Sequence, residues 1–109
     1  MALALNAFRT ITHVVSTSLT EVYTAPVGYT GVVLLAQATN IGNSSADVTF
    51  IHRRSSTDTE ISKNFPISAN DTSGLLFGKM VLESGDKLVL SASNATSIKF
   101  IASILETLN

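Results

Sequence analysis

The chain of 109 residues has no cysteine, no tryptophan and two prolines, and only 14% of its side chains are charged. Without cysteine, disulfide stapling, thiolate metal sites and thiol catalysis are all excluded, and the core must hold by packing alone. Seven Lys or Arg against eight Asp or Glu give a formal net charge of −1, too little for a long-range field that would gather nucleic acid or anionic lipid. With so few charges and a mean hydropathy of +0.34, the surface must be covered by Ser, Thr, Asn and apolar atoms. Such a surface is easily buried against a partner. The longest charge-free run, residues 22–46, could cross a bilayer by length, but it carries Pro26, Gly28, Gly31, Gln37, Asn40, Gly42 and Asn43. It reads as strand, turn and strand. Residues 1–5 (MALAL) have no basic start and are too short for a signal peptide, so they are expected to be mature chain.

What is present is a train of short apolar segments recurring about every ten residues between Gly, Asn, Asp and Ser clusters, the spacing of an all-β sandwich or barrel. About eight strands are expected, drawn from the candidate segments 7–16, 20–24, 30–39, 46–53, 60–65, 75–77, 80–82, 87–93 and 98–106, of which 75–77 and 80–82 are short. The consecutive Val32, Val33, Leu34 and Leu35 want cover on both pleat faces and predict a central strand. Phe50 falls on the apolar parity of its strand and is assigned to the core. Residues 55–59 predict a polar hairpin loop, residues 60–65 an edge strand that Pro66 closes, and residues 68–74 a loop. Residues 83–86 (ESGD) form a strong turn signal. In residues 98–106 the period-two set Ile98, Phe100, Ala102 and Ile104 favours strand over helix. One domain, residues 1–109, is the expected organisation, with residues 1–6 as an N-terminal arm.

A search for chemistry finds no phosphate loop, zinc-type histidine pair, nucleophile elbow or dinucleotide fingerprint. His13 and His52 lie on different predicted strands, and a lone strand histidine is more often a packed or surface side chain than a ligand or base. No metal, no cofactor and no catalytic residue are expected. Arg53 and Arg54, with His52, form the sole basic cluster, and strand alternation points Arg53 away from its neighbours. A solvated strand end is favoured over a contact to an acidic partner or nucleic acid; if the cluster binds, a protein carboxylate is the expected partner. The triplets beginning at Asn43, Asn70 and Asn94 match the glycosylation pattern but sit where turns need Asn.

Residues 21–30 (EVYTAPVGYT) leading into Val32 to Leu35, with residues 82–90 (LESGDKLVL) and 102–106 (ASILE), resemble small virion structural proteins of tailed bacteriophages, those of cyanobacterial phages in particular. The resemblance spans residues 20–106. It implies a β-sandwich that decorates the head or builds part of the tail or neck, with no catalytic residues to carry over.

The sequence thus leads to an antiparallel β-sandwich, with a jelly roll as its specific form. Its expected role is a non-enzymatic structural subunit located in the virion, self-associating as a homo-oligomer and packing on other virion proteins, without nucleic acid or membrane. The alternative is a carbohydrate- or receptor-binding module of a phage fibre, against which stands the shortage of aromatic platforms beyond Tyr23, Tyr29 and the phenylalanines. Candidate interface residues are Leu3, Leu5, Arg53, Arg54, Ile101 and Leu105. Ile101 and Leu105 occupy the outer parity of the last strand, where water is expected, and something should cover them. Either residues 1–5 of the same chain or a neighbouring subunit would serve.

Overall fold

Runs of β-branched and apolar residues, broken by Gly, Asn and Ser, fold into nine strands in the computed structural model, which describes residues 5–109. The strands are β1 (Asn6–Val14), β2 (Thr20–Thr24), β3 (Tyr29–Asn40), β4 (Ala46–Arg54), β5 (Thr57–Ile67), β6 (Thr72–Gly74), β7 (Met80–Leu82), β8 (Lys87–Ala92) and β9 (Ile98–Leu108). No helix occurs among the described residues. Every pairing is antiparallel. The first sheet runs β1-β9-β3-β6, with β7 also on β3, and the second runs β2-β8-β4-β5. The expected antiparallel β-sandwich is borne out.

After β1 the chain crosses from the first sheet to the second within one residue. The amide of Val15 still donates to Ile98 in the first sheet at 2.9 Å, while the carbonyl of Ser16 already accepts from Ala92 in the second at 2.9 Å. Between the sheets lies one core in which alternate side chains of each strand meet. From the first sheet come Val33, Ala36, Ala38, Ile98, Phe100, Ala102 and Ile104, and from the second Ala46, Val48, Phe50, Leu88 and Leu90. Phe50 and Phe100 bridge the layers with ring centroids 5.5 Å apart, tilted by 45°, a geometry aromatic quadrupoles favour. At one end the wholly buried Asn40 has all its needs met. Its Nδ2 donates to the carbonyls of Ser44 and Ile67, both at 2.9 Å, and its Oδ1 accepts the Gly42 amide at 2.8 Å. This ties the turn between β3 and β4 to the end of β5.

Three expectations need correction. Residues 75–77 are not a strand: the ladder to β3 is made by Thr72–Gly74, inside the expected loop. Leu75 instead drops its side chain into the core while its amide reaches the Ala36 carbonyl at 2.9 Å. Burial of one leucine then sends the chain out of the sheet, leaving Phe77 fully exposed. Residues 57–59 are strand rather than loop, because Ser55 takes a positive φ of 55° and closes a tight turn, bringing Asp58 opposite Arg53. Pro66 does not end β5, which continues to Ile67. As expected, β5 is an edge, where a missing amide can face solvent.

The turn at residues 83–86 is built as the sequence implies. Gly85 has φ +87°, its amide donates to the Ala25 carbonyl at 2.9 Å, and the Asp86 amide returns to the Glu83 carbonyl at 2.9 Å. There is open space around the position where a Cβ would stand, so backbone conformation alone resists a side chain. Gly85→Val should therefore destabilise the fold by about 1–3 kcal/mol, and Gly85→Asn by clearly less, since Asn tolerates this region. Thermal melts of both variants check the order; equal losses would mean that φ is not the cause.

Candidate assembly surface

The register of the first sheet lines up apolar side chains on its outer face. Phe8 stands opposite Leu105, Leu105 opposite Val32, and Val32 opposite Val81. One uninterrupted apolar row thus crosses β1, β9, β3 and β7. Phe8 is 77% exposed and Val81 57%, while Leu105 and Val32 between them are partly covered. Behind this row stand Thr10, Ser103 and the exposed Leu35, placed outward by a bulge in β3, then Thr12, Ile101 and Gln37, then Val14, Lys99 and Thr39. Lys99 is the sole charge in these rows. At that end Thr12, Val14, Thr39, Ile41, Lys99 and Ile101 border a shallow cleft of about 620 Å³.

The outer face of the second sheet is the reverse. Glu21, Asp47, Asp58 and Glu60 share it with Arg53 and Lys87, and two of its apolar side chains, Ile51 and Val89, stand side by side and are buried. Arg53 reaches over that sheet. Its Nε and Nη2 donate to the Asp58 carboxylate at 2.6 and 3.0 Å, and Nη1 donates to Glu21 at 3.2 Å. Arg53 is thus paired within its own sheet.

Charge is also gathered at one end of the sandwich. Asp86, almost fully buried, accepts from Arg54 Nε and Nη2 at 2.9 and 2.7 Å and from the Glu83 amide at 2.9 Å, and lies 3.0 Å from His52 Nε2. Arg54 holds the Asp86 carboxyl well below the usual range, with His52 and the Glu83 amide adding to the effect against the opposing cost of burial. Across the core, buried Glu106 accepts from Tyr23 Oη at 2.5 Å and from Arg9 Nε at 3.1 Å. Burial, then the Glu106 hydrogen bond and charge, push the Tyr23 hydroxyl above its ordinary value.

Of the residues singled out from sequence, Ile101 and Leu105 take the outer parity of β9, as expected, and the structure places them on one face with Phe8, Val32, Leu35 and Val81, which sequence reasoning missed. Ile101 is 36% exposed. Leu5 is largely exposed, and its carbonyl accepts the Leu108 amide at 2.7 Å. Leu3 lies outside the described residues. Arg53 and Arg54 point to opposite faces, each onto carboxylates of this chain. The histidines are not brought together: His13 pairs with Phe100 in one sheet and His52 with Leu88 in the other. The buried His13 Nε2 has no hydrogen-bond partner. Among the described residues no group of three His, Cys, Asp or Glu could hold a metal.

No family model and no curated protein matches this chain. Several solved structures share its fold. One is a chain of the acid-stable capsid of Helicobacter pylori bacteriophage KHP30, 12% identical, with TM-score 0.58 over 96% of this chain and 89% of that one. Another is from the disulfide-linked pili that form Bacillus endospore appendages, 11% identical, with TM-score 0.55 over 100% and 97%. A third is the Drosophila NLP core, described for pentamer formation and histone binding, 11% identical, with TM-score 0.52 over 90% and 96%. At these identities the likeness establishes the sandwich fold.

Because the native Asp86 carboxyl titrates low, its contribution to stability is complete above the unfolded-chain value of about 3.9 and fades as pH falls from there toward the native value. Asp86→Asn should cost about 1.5–3 kcal/mol at neutral pH, the worth of charged hydrogen bonds. The gap between parent and variant should narrow below about pH 4. Denaturant unfolding across pH checks this, and a gap that stays constant into strong acid would contradict it.

Proposed function

We propose that this chain is a non-enzymatic structural subunit of a virion, working by packing against copies of itself and neighbouring virion proteins. The observation that carries the reading is the contrast between the two outer faces. One is laced with ion pairs and holds buried Ile51 and Val89, whereas the other carries an exposed apolar row across four strands. Covering that row removes side chains from water at roughly 1.5–3 kcal/mol for each large apolar group fully buried, and repetition around a closed symmetric assembly multiplies the gain. The charged face makes a poor cover for it, because burying the Arg53 ion pairs would cost desolvation without new partners. The likeness in fold to a phage capsid chain, and to chains from pili and from a pentamer-forming core, supports a self-assembling subunit. The strand order β1-β9-β3 over β2-β8-β4-β5 supports a jelly-roll winding, two Greek keys shared by many capsid domains. Within a tailed-phage particle, head decoration or a tail or neck component is the specific role proposed.

One observation favours a carbohydrate- or receptor-binding module instead. Phe65 and Phe77 are exposed beside a cleft of about 590 Å³ that Ile61, Ser62, Ser73 and Leu76 also line. A glycan array checks it: no binding is expected, and hits that vanish in Phe77→Ala would favour the module.

Ile101→Lys together with Leu105→Lys should abolish assembly or particle incorporation while leaving a folded monomer, as read by light scattering and circular dichroism. Deleting residues 1–5 should leave the monomer stable if a neighbouring subunit covers the face, and destabilise it if those residues are the cover. Normal assembly of the double lysine variant would remove this face as an interface.

A further inference from the structure

The sandwich has four strand edges, and three carry features that block pairing with another chain. β6 and β7 are three residues each and are separated by a loop. β2 is five residues long, is bulged at Val22 and carries Glu21. β5 has two register shifts, Pro66, Glu60, Lys63 and a positive φ of 50° at Asn64. Short length, bulges, prolines and charges are the devices that blunt an edge. β1 lacks the first three. Its nine residues pair with β9 in one unbroken register, without proline, and its one charge, Arg9, is turned to Glu106.

The parity of β1 follows from its two ends. Leu5 and Val15 both bond to β9, so in an antiparallel ladder the odd residues face β9. The N–H and C=O groups of Asn6, Phe8, Thr10, Thr12 and Val14 therefore point away from it, toward the open edge. None of these five residues is charged. Among the described residues, no hydrogen bond to their backbone groups is formed on that side.

We propose that β1 pairs antiparallel with β1 of a second copy across a twofold axis at Thr10, joining two five-stranded sheets edge to edge. This deepens, and rests on, the reading of the chain as a self-associating subunit. A second copy is the occupant because its edge matches in length, parity and neutrality. In this register Thr10 faces the partner's Thr10, Phe8 the partner's Thr12 and Asn6 the partner's Val14. Arg9 falls opposite the partner's Ile11, so like charges never stand opposite, an arrangement that would oppose pairing. The apolar rows of the two outer faces then lie on one continuous surface.

Thr10→Pro tests the pairing, since it removes an amide that the β1–β9 ladder does not use and that an open edge tolerates losing. The variant should stay folded by circular dichroism and lose the twofold contact by sedimentation, while Thr10→Val, which keeps the amide, should behave as the parent. Independently of any variant, amide exchange at Phe8, Thr10 and Thr12 in the assembled parent should be slowed on the order of a hundredfold relative to an open edge. Fast exchange at these amides, unchanged association of Thr10→Pro, or protection that arises only when other virion proteins are added would each overturn the pairing. A particle that fails with the Ile101 and Leu105 lysines but forms with Thr10→Pro would keep the face and discard the edge. The opposite result would keep the edge and discard the face.

Discussion

Strand β9 is paired along its whole length on both sides, to β1 and to β3, so its side chains have only two places to go. The inner parity is buried from Ile98 through Phe100, Ala102 and Ile104 to Glu106. The outer parity cannot follow, because an antiparallel strand alternates faces at every residue. Ile101 and Leu105 are held outside by the same ladder that buries their neighbours. Registers on either side extend this outward placement to Phe8, Val32 and Val81, and the asymmetry of the molecule follows from it.

The few charges of the chain are used in keeping with this division. Arg53, Glu21 and Asp58 form an ion-paired group on the face that also holds buried Ile51 and Val89, and Arg54 and His52 converge on buried Asp86 at one end, where Glu83 pairs with Arg54. Arg9 neutralises buried Glu106, and the Tyr23 hydroxyl donates a hydrogen bond to it. Surface ion pairs such as those of Arg53 add little stability. Their larger effect is to make that face costly to bury, and the proposed use of the apolar face and the β1 edge rests on this contrast.

Much of the fold was legible because period-two alternation in residues 46–53, 87–93 and 98–106 is a local property, as are the glycine and asparagine turns. Asn94 shows the turn reading at work, its Oδ1 accepting from the Thr96 amide and the Ser97 hydroxyl at 3.2 and 3.0 Å. What local pattern could not give was register. Thr72–Gly74 reads as loop by composition and becomes strand only because β3 lies beside it, whereas Leu75–Leu76–Phe77 reads as strand and is diverted by the burial of Leu75. The outward parity of Ile101 and Leu105 was readable from their own strand. Their alignment with Phe8 and Val81, distant in sequence, was not. The carboxylates that engage Arg53 and Arg54 were equally hidden, since Asp58 lay in an expected loop and Asp86 in a turn.

The outer face of the first sheet is the proposed surface where this protein meets its neighbours. A density map of the assembled protein tests it most directly. Phe8, Leu105, Val32 and Val81 should lie against another subunit while Arg53, Asp58 and Glu21 face water. A map with the Arg53 face buried and the Phe8 to Val81 row in open solvent would contradict it.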